Sequence, residues 1–414
     1  MFKLSYAHKQ RDVYANDINQ PDKRDPGASN TDAFRIAARF DNGGPVRVDY
    51  AFDYNDTKSY SVPFQLAFVD PAIAEFFANS PALGGSALEV SRDRRDNLNL
   101  NQGRLTDKVR GHTLTVEADL GGDLTLRSLT GLRQWKNTVT STDLDGNDNL
   151  LGLTSGGVQE ITLFSADNRR SQKQFSQELN LLGKIGDKID FVLGGFYFKE
   201  KVSENNPQKF AMIMPTANTI QLGNGLTTDY IAIPLASSMI YRHSSESIAA
   251  FGQLTYHATD KLTLTGGLRY TEDRKHLDQT AGVKVRDLRD TFKQVNWAAS
   301  VDYKFSNDVL AYARVATGYK GGGFNPRSVG GSFKPETLTS YEVGLKSELF
   351  DRRLRVNLTA FHSIYKDMQV SQFTADSNGA SSMTVNAGKA KYTGVEAEIL
   401  ANPVDGLTLN ASLG

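Results

Sequence analysis

Short and long connections alternate along this chain without a break, and that rhythm constrains its fold more than any single residue does. Tight reversals fit DNGGP (41–45), GGD (121–123), GKIGDK (183–188), ATDK (258–261), SND (306–308), FDRR (350–353) and NPVDG (402–406). Each carries Gly, Asn, Asp or Pro, the residues that close a turn at low conformational cost. Between them lie much longer connections, near 15–31, 61–106, 143–173, 205–244, 278–291, 321–337 and 373–381. The strands left over run about 10–18 residues, well beyond the ~5–6 usual in soluble sheets. A soluble sandwich has no reason to gather every long loop at one end. A barrel standing in a membrane does: its strands need at least ~9–11 tilted residues to cross, with short turns on one side and long loops on the other.

Polarity within the strands agrees. HTLTVEADL sets Leu114, Val116, Ala118 and Leu120 against Thr113, Thr115, Glu117 and Asp119. KLTLTGGLRYT sets Leu262, Leu264, Leu268 and Tyr270 against Thr263, Thr265 and Arg269, and SYEVGLKSEL sets Tyr341, Val343, Leu345 and Leu349 against Glu342, Lys346 and Glu348. A period of two over such lengths means one apolar and one polar face; in a barrel the apolar face meets lipid and the polar face a wet lumen. Tyr256, Phe305 and Phe350 fall beside short turns, and Tyr270, Tyr319 and Tyr341 toward the long-loop ends, where two interfacial aromatic girdles would lie.

Composition narrows the rest. Mean hydropathy is −0.41, and no apolar run reaches the ~18 residues of a membrane-crossing helix; alternating strands escape that test. Lys plus Arg and Asp plus Glu number 47 each, so the basic excess of a nucleic-acid-binding chain is missing. Cysteine is absent, which excludes a disulfide framework and a thiol nucleophile and fits an envelope protein that crosses an oxidising periplasm. About fifteen strands are expected, the first starting at Met1 and the last, LTLNASLG, running to Gly414. An odd count does not close a single-chain bacterial barrel, and open edges in lipid strand backbone groups without partners. The expected architecture is therefore all-β, a transmembrane antiparallel up-and-down barrel, present over residues 1–414 as one partial domain of a longer chain.

Four stretches carry a family resemblance: residues 175–201, 249–275, LAYARVATGYKGGGFNPR (310–327), and 338–370 with VNAGKAKYTGVEAEI (385–399). They resemble the TonB-dependent outer-membrane receptors, importers of siderophores and cobalamin. The glycine block with Gly318, Lys320, Gly322 and Phe324, followed by Tyr341-Glu342-Val343-Gly344, is the most specific part; residues 1–172 fit by pattern more than by motif. The resemblance implies a barrel of about 22 strands filled by an N-terminal plug, ligand capture on the extracellular side, and TonB pulling on the plug. It implies a Gram-negative outer membrane, surrounding lipid, a small iron chelate as cargo, no cofactor and no enzyme activity. The plug and roughly seven strands of that pattern are not expected within this sequence, and the chain by itself is not expected to transport. A passive porin-like channel and an outer-membrane barrel enzyme are the rival readings; the latter lacks any Ser-His-Asp frame.

Other candidates have plain alternatives. In TDLDGNDNLLG (142–152), Asp143, Asp145, Asn147, Asp148 and Asn149 offer the alternating oxygens calcium uses, although no Glu closes an EF-hand and Asx turns explain the same residues. Of the histidines (8, 112, 243, 257, 276, 362), His243 and His276 fall near long loops where a metal chelate passes. Asp70 and Pro71 read as N-cap and first residue of a short helix carrying Phe76 and Phe77, packed within its loop or folded over the mouth. Arg127, Arg133, Arg269, Arg314 and Lys346 face the lumen, to meet an anionic chelate or to pair with wall carboxylates. Gly321-Gly322-Gly323 after Lys320 is no P-loop, since no Gly-Lys-Ser/Thr follows. It reads as a strand exit, with backbone freedom to turn into an extracellular loop. No individual ligand-binding residue is assigned.

Overall fold

Fifteen strands, each hydrogen-bonded to its neighbours in chain order, make one antiparallel sheet. They are β1 (Phe2–Arg11), β2 (Ser29–Asp41), β3 (Val46–Tyr60), β4 (Arg104–Gly121), β5 (Leu124–Asp143), β6 (Phe164–Ile185), β7 (Ile189–Gly223), β8 (Leu226–His257), β9 (Leu262–Ala281), β10 (Lys284–Lys304), β11 (Val309–Lys320), β12 (Glu336–Leu349), β13 (Leu354–Lys366), β14 (Ala390–Val404) and β15 (Leu407–Leu413). The computed structural model describes residues 1–13, 15–18, 26–60, 62–100, 103–281, 284–328, 331–376 and 379–414. All seven expected reversals separate consecutive strands. At FDRR, Phe350, Asp351 and Arg352 all take positive φ (55°, 54° and 65°) without a glycine among them, a turn held by the Arg353 amide donating to the Phe350 carbonyl at 3.0 Å.

Facing follows from register. Leu193, Leu254, Leu268 and Val343 point outward and stand 52%, 53%, 59% and 56% exposed. The opposite positions carry polar side chains that meet across strands. Glu117 takes Arg127 at 2.5 Å and also Arg47; the Tyr312 hydroxyl donates to Glu342 at 2.5 Å. This is the inside-out arrangement of a sheet whose outer solvent is hydrocarbon.

The strands outrun the membrane on the long-loop side and build a crown. Residues 205–244, expected as a loop, instead continue β7 and β8 to a tight reversal at Asn224 (φ 49°) and Gly225 (φ 78°). The expected loop at 278–291 is likewise taken up by β9 and β10. Beyond the bilayer both faces of a strand are wet, so the apolar–polar contrast that marks a strand in sequence fades while the hydrogen bonding continues. The 373–381 expectation errs the other way: β13 stops at Lys366, Asp367 takes φ 52°, and Gln369–Asp376 pairs with Gly379–Asn386 as a separate hairpin. Of the 15–31 connection, residues 19–25 lie outside the described residues.

Conventional apolar cores sit in the crown. Helix α1 (Pro71–Phe77) begins as expected, Asp70 Oδ1 accepting the Ala72 amide at 2.9 Å. Phe76 and Phe77 are buried with Leu150, Ile161 and Ala232, so the helix ties its own connection to the one between β5 and β6 and to strand β8.

Candidate functional site

The mouth of the barrel is where topology gathers the chemistry. On its lumenal face β6 to β10 present Arg170, Glu204, Tyr241, Lys275, Leu277 and Phe292, placed on one side by the register. The glycine block folds onto this face. β11 ends at Lys320, and the chain turns inward rather than out. None of Gly321, Gly322 and Gly323 takes positive φ. The sequence reading of a glycine exit is right, but its reason is not: what matters is the missing side chain. A Cβ on Gly322 would stand 2.6 Å from both the Phe292 ring and the Phe333 carbonyl oxygen, and one on Gly321 would stand 3.0 Å from the Asp273 carboxylate. Tyr319 anchors the start of the loop by donating its hydroxyl to Asp273; it is half-buried rather than a girdle residue.

From there the loop plugs into the wall. Phe324 is buried against Tyr241 and Leu277, with Val202 and Leu288 at the edge. The Gln279 amide donates to the Pro326 carbonyl at 2.8 Å. Arg327 reaches Glu204 at 2.7 Å. Glu204, whose side chain is 2% exposed, also accepts the Tyr241 hydroxyl at 2.6 Å and the Asn168 amide at 2.9 Å, and has Arg170 at 3.4 Å. A buried carboxylate survives only with such partners. Asn325 spans to the neighbouring hairpin, donating to the Thr384 carbonyl at 3.0 Å and accepting the Thr384 amide at 2.7 Å. The loop after β11 is thus laced to the inner wall, and the Gln369–Asn386 hairpin is laced to that loop.

Four of the five lumenal cations named from sequence are engaged by wall side chains. Arg127 pairs with Glu117 at 2.5 Å, and Arg133 approaches Asp53 at 3.9 Å. Arg269 lies 5.4 Å and 5.2 Å from the ring centres of Phe196 and Phe251, and Lys346 lies 5.5 Å from that of Tyr312. Arg314 stands opposite Glu342 in the register. His243 faces the lumen opposite Leu277, whereas His276 faces out, opposite Ser244 and 3.2 Å from Asp287. The two histidines cannot share a ligand. In the 142–152 loop the carboxylates serve the backbone. Asp143 accepts the amides of Asp145 and Gly146 at 3.1 and 2.8 Å, and Asp145 those of Asn147 and Phe164 at 2.9 and 2.7 Å. Among the described residues no three acidic or histidine side chains converge as metal ligands would. Burial, then the neighbouring Asp143, push the Asp145 carboxyl up to about 7. The sequence reading does not single out Glu204, Arg327, Asn325 or Gln279; of the four, Asn325 and Arg327 lie in the FNPR that follows the glycines.

Comparison with known proteins agrees with this geometry. Residues 53–414 match the TonB dependent receptor-like, beta-barrel family. The pesticin receptor of Yersinia pestis is 29% identical over 221 residues, covering 47% of this chain and 32% of that protein. The ferric-pyoverdine M114 receptor PbuA of Pseudomonas sp. is 29% identical over 157 residues, covering 37% of this chain and 19% of that protein. The ferric yersiniabactin uptake receptor FyuA from Yersinia pestis superposes with a TM-score of 0.71 at 18% identity, over 99% of this chain and 55% of that one. The chain therefore spans little more than half the length of a structure whose fold it shares.

Proposed function

The chain belongs to the TonB-dependent receptor-like β-barrel family, and we propose on that premise that it forms wall and crown of an outer-membrane importer of a ferric siderophore. Cargo would be captured at the mouth, and TonB would supply the energy through a plug of the family's kind. The observation that carries this reading is the laced mouth: the 321–328 loop pinned at Glu204 and Phe292 narrows the entrance and suits capture better than free diffusion. A passive porin is the second reading, favoured only by the paired lumenal charges that line a water-filled wall. An enzyme would need a convergent nucleophile and base, and the buried carboxylates Glu204, Asp143 and Asp145 are tied to structural partners instead.

The gene, expressed in full in an outer membrane lacking other iron-chelate receptors, should restore growth on at least one ferric siderophore, and only with TonB present. Uptake that persists without TonB, or steady conductance of the purified protein in a planar bilayer, would favour the porin. Neither uptake nor conductance would overturn both.

A further inference from the structure

The outer wall above the apolar band is not uniform. Following β4 to β7 from Leu114, Leu132, Leu179 and Leu193 toward the crown, the outward positions become Arg110 and Lys108, then Lys136, Lys173, Lys199 and Lys201. Lys108 stands directly opposite Lys136, and Lys173 directly opposite Lys201. Like charges facing each other across a strand pair are destabilising, so the sheet has no structural reason to place them there. Among the described residues two carboxylates answer the six cations: Asp56 meets Lys108 at 3.2 Å and Glu246 meets Lys199 at 3.0 Å. Arg110 donates to the Gln134 amide oxygen. Among the described residues no carboxylate lies within 4.0 Å of Arg110, Lys136, Lys173 or Lys201. Arg110, Lys173, Lys199 and Lys201 line a groove of about 350 Å³ with His112, Leu132, Gln134 and Phe175; Lys136 lies outside that lining, two residues beyond Gln134 on the same face of β5.

The adjoining sector at the same height is self-neutralised. On β8 to β10, Arg274 meets Glu272 at 2.8 Å, Lys293 meets Glu272 at 3.5 Å, Arg289 meets Asp287 at 3.2 Å, and Arg242 meets Asp278 at 3.9 Å. The unpaired positive charge of β4–β7 is therefore not continued into β8–β10.

We propose that this groove binds the phosphate groups of outer-leaflet lipid, with Arg110, Lys136, Lys173 and Lys201 as the phosphate contacts and Leu132 and Phe175 against the first apolar segment of the lipid. The position selects the ligand. A soluble anion has no need of an apolar floor, whereas a phosphorylated amphiphile presents its phosphates just where leucines give way to lysines. Lysines supply compact charges and the arginine a planar fork, both suited to phosphate. The inference rests on the outer-membrane reading above, because it places this zone at the outer-leaflet headgroups.

The test compares the intact protein, extracted from outer membranes, with K136Q/K173Q/K201Q and with the control R242Q/R274Q/R289Q. Each is titrated in detergent with a bisphosphorylated glucosamine-disaccharide lipid, its dephosphorylated form and inorganic phosphate, and bound lipid is read by native mass spectrometry. The bisphosphorylated lipid should bind the unmodified protein, and the lysine variant should bind it about 100-fold more weakly, at roughly a factor of five per charge removed. The control should bind as the unmodified protein does. Equal loss in both variants, no loss in either, or equal binding of the dephosphorylated lipid would overturn the proposal. Tight binding of inorganic phosphate alone would make the groove a site for free anion and overturn the lipid assignment. Protein recovered outside the membrane fraction would instead mark failure of the outer-membrane reading, a distinguishable result.

Discussion

In the membrane-facing wall Leu193 and Leu268 stand 52% and 59% exposed, while in the crown Phe77 and Leu150 are 1% and 0% exposed. One sheet supplies both regions, and β7 and β8 pass through both without interruption. What changes along them is the solvent. Against hydrocarbon, an outward leucine is already in its preferred medium and the wall needs only polar contacts inside, such as Arg47–Glu117–Arg127. Against water, the crown must hide its apolar groups, and it does so by lacing loops together: α1 onto Leu150 and Ile161, and Phe324 onto Tyr241 and Leu277. The wall is held by its ladder and by lipid, the crown by side-chain burial, so the same substitution should have different consequences in the two.

The largest expected contrast is truncation of an apolar side chain. Phe77→Ala should destabilise the crown by about 3–5 kcal/mol, through lost transfer and an unfilled cavity. Leu268→Ala should cost far less, because lipid chains fill the space it leaves. Denaturant melts of the detergent-embedded protein, followed by proteolysis of the crown and by heat-modifiable mobility of the barrel, separate the two. A cost at Leu268 matching that at Phe77 would break the comparison.

Next comes a charge placed on the outer surface. Leu268→Arg puts a guanidinium into hydrocarbon and should cost about 2–4 kcal/mol near the bilayer midplane. Val285→Arg, on the same face but in the crown and 73% exposed, should stay within about 0.5 kcal/mol. Folding yield in lipid vesicles of each variant measures both, and a penalty for Val285→Arg as large as that for Leu268→Arg would show that the crown sits in the membrane after all.

A smaller effect sharpens the contrast at glycines. Gly322→Ala forces a Cβ toward the Phe292 ring and the Phe333 carbonyl, an overpacking that should cost about 1–3 kcal/mol and loosen the 321–328 loop. Gly195→Ala, in the wall with nothing within 4 Å of its Cβ position, should be neutral by melting and by growth on the cargo. If Gly322→Ala leaves the loop as protected from hydrogen exchange as before, close approach is not why the glycine is there.

The wall was far more legible in the sequence than the crown, for a physical reason. Leu114, Leu264 and Val343 alternate with Glu117, Thr265 and Glu342 because each face of the wall has one solvent, and the turns carry Gly, Asn or Asp because the reversal is tight. Those signals place the seven short turns of the wall and the strand count, but not the tight reversal at Asn224 and Gly225 in the crown. In the crown, residues 205–244 continue the sheet with no such contrast, so their sequence looks like loop. The Asp70–Pro71 helix start was visible because capping is local. The Glu204 hub was not, because a buried carboxylate is defined by Arg327, Arg170 and Tyr241, which come from distant parts of the sequence. The glycine block was recognisable, yet its purpose depended on Phe292, a residue on another strand.

The last contrast concerns pH and is confined to the crown. Asp145 is buried beside Asp143, and its carboxyl is raised from the ordinary 3.8 to about 7. In the unfolded loop it titrates at the ordinary value, so between the two the folded loop holds a proton that the open loop has released. Stability of the loop then falls as pH rises from about 4 toward 7, and levels off once Asp145 is ionised in the fold as well. From pH 6 to pH 8 the local opening equilibrium should shift by about tenfold, since most of the titration falls within that interval. Hydrogen-exchange protection factors of the Asn147 and Phe164 amides, which donate to Asp145, should fall by that factor after correction for intrinsic exchange. Amides of the wall, such as that of Leu193, should not change. Asp145→Asn should abolish the dependence while keeping the loop closed at pH 8. A protection factor at Phe164 that rises with pH would mean that its amide holds the ionised carboxylate more strongly than burial opposes it, and the sign of the whole effect would reverse.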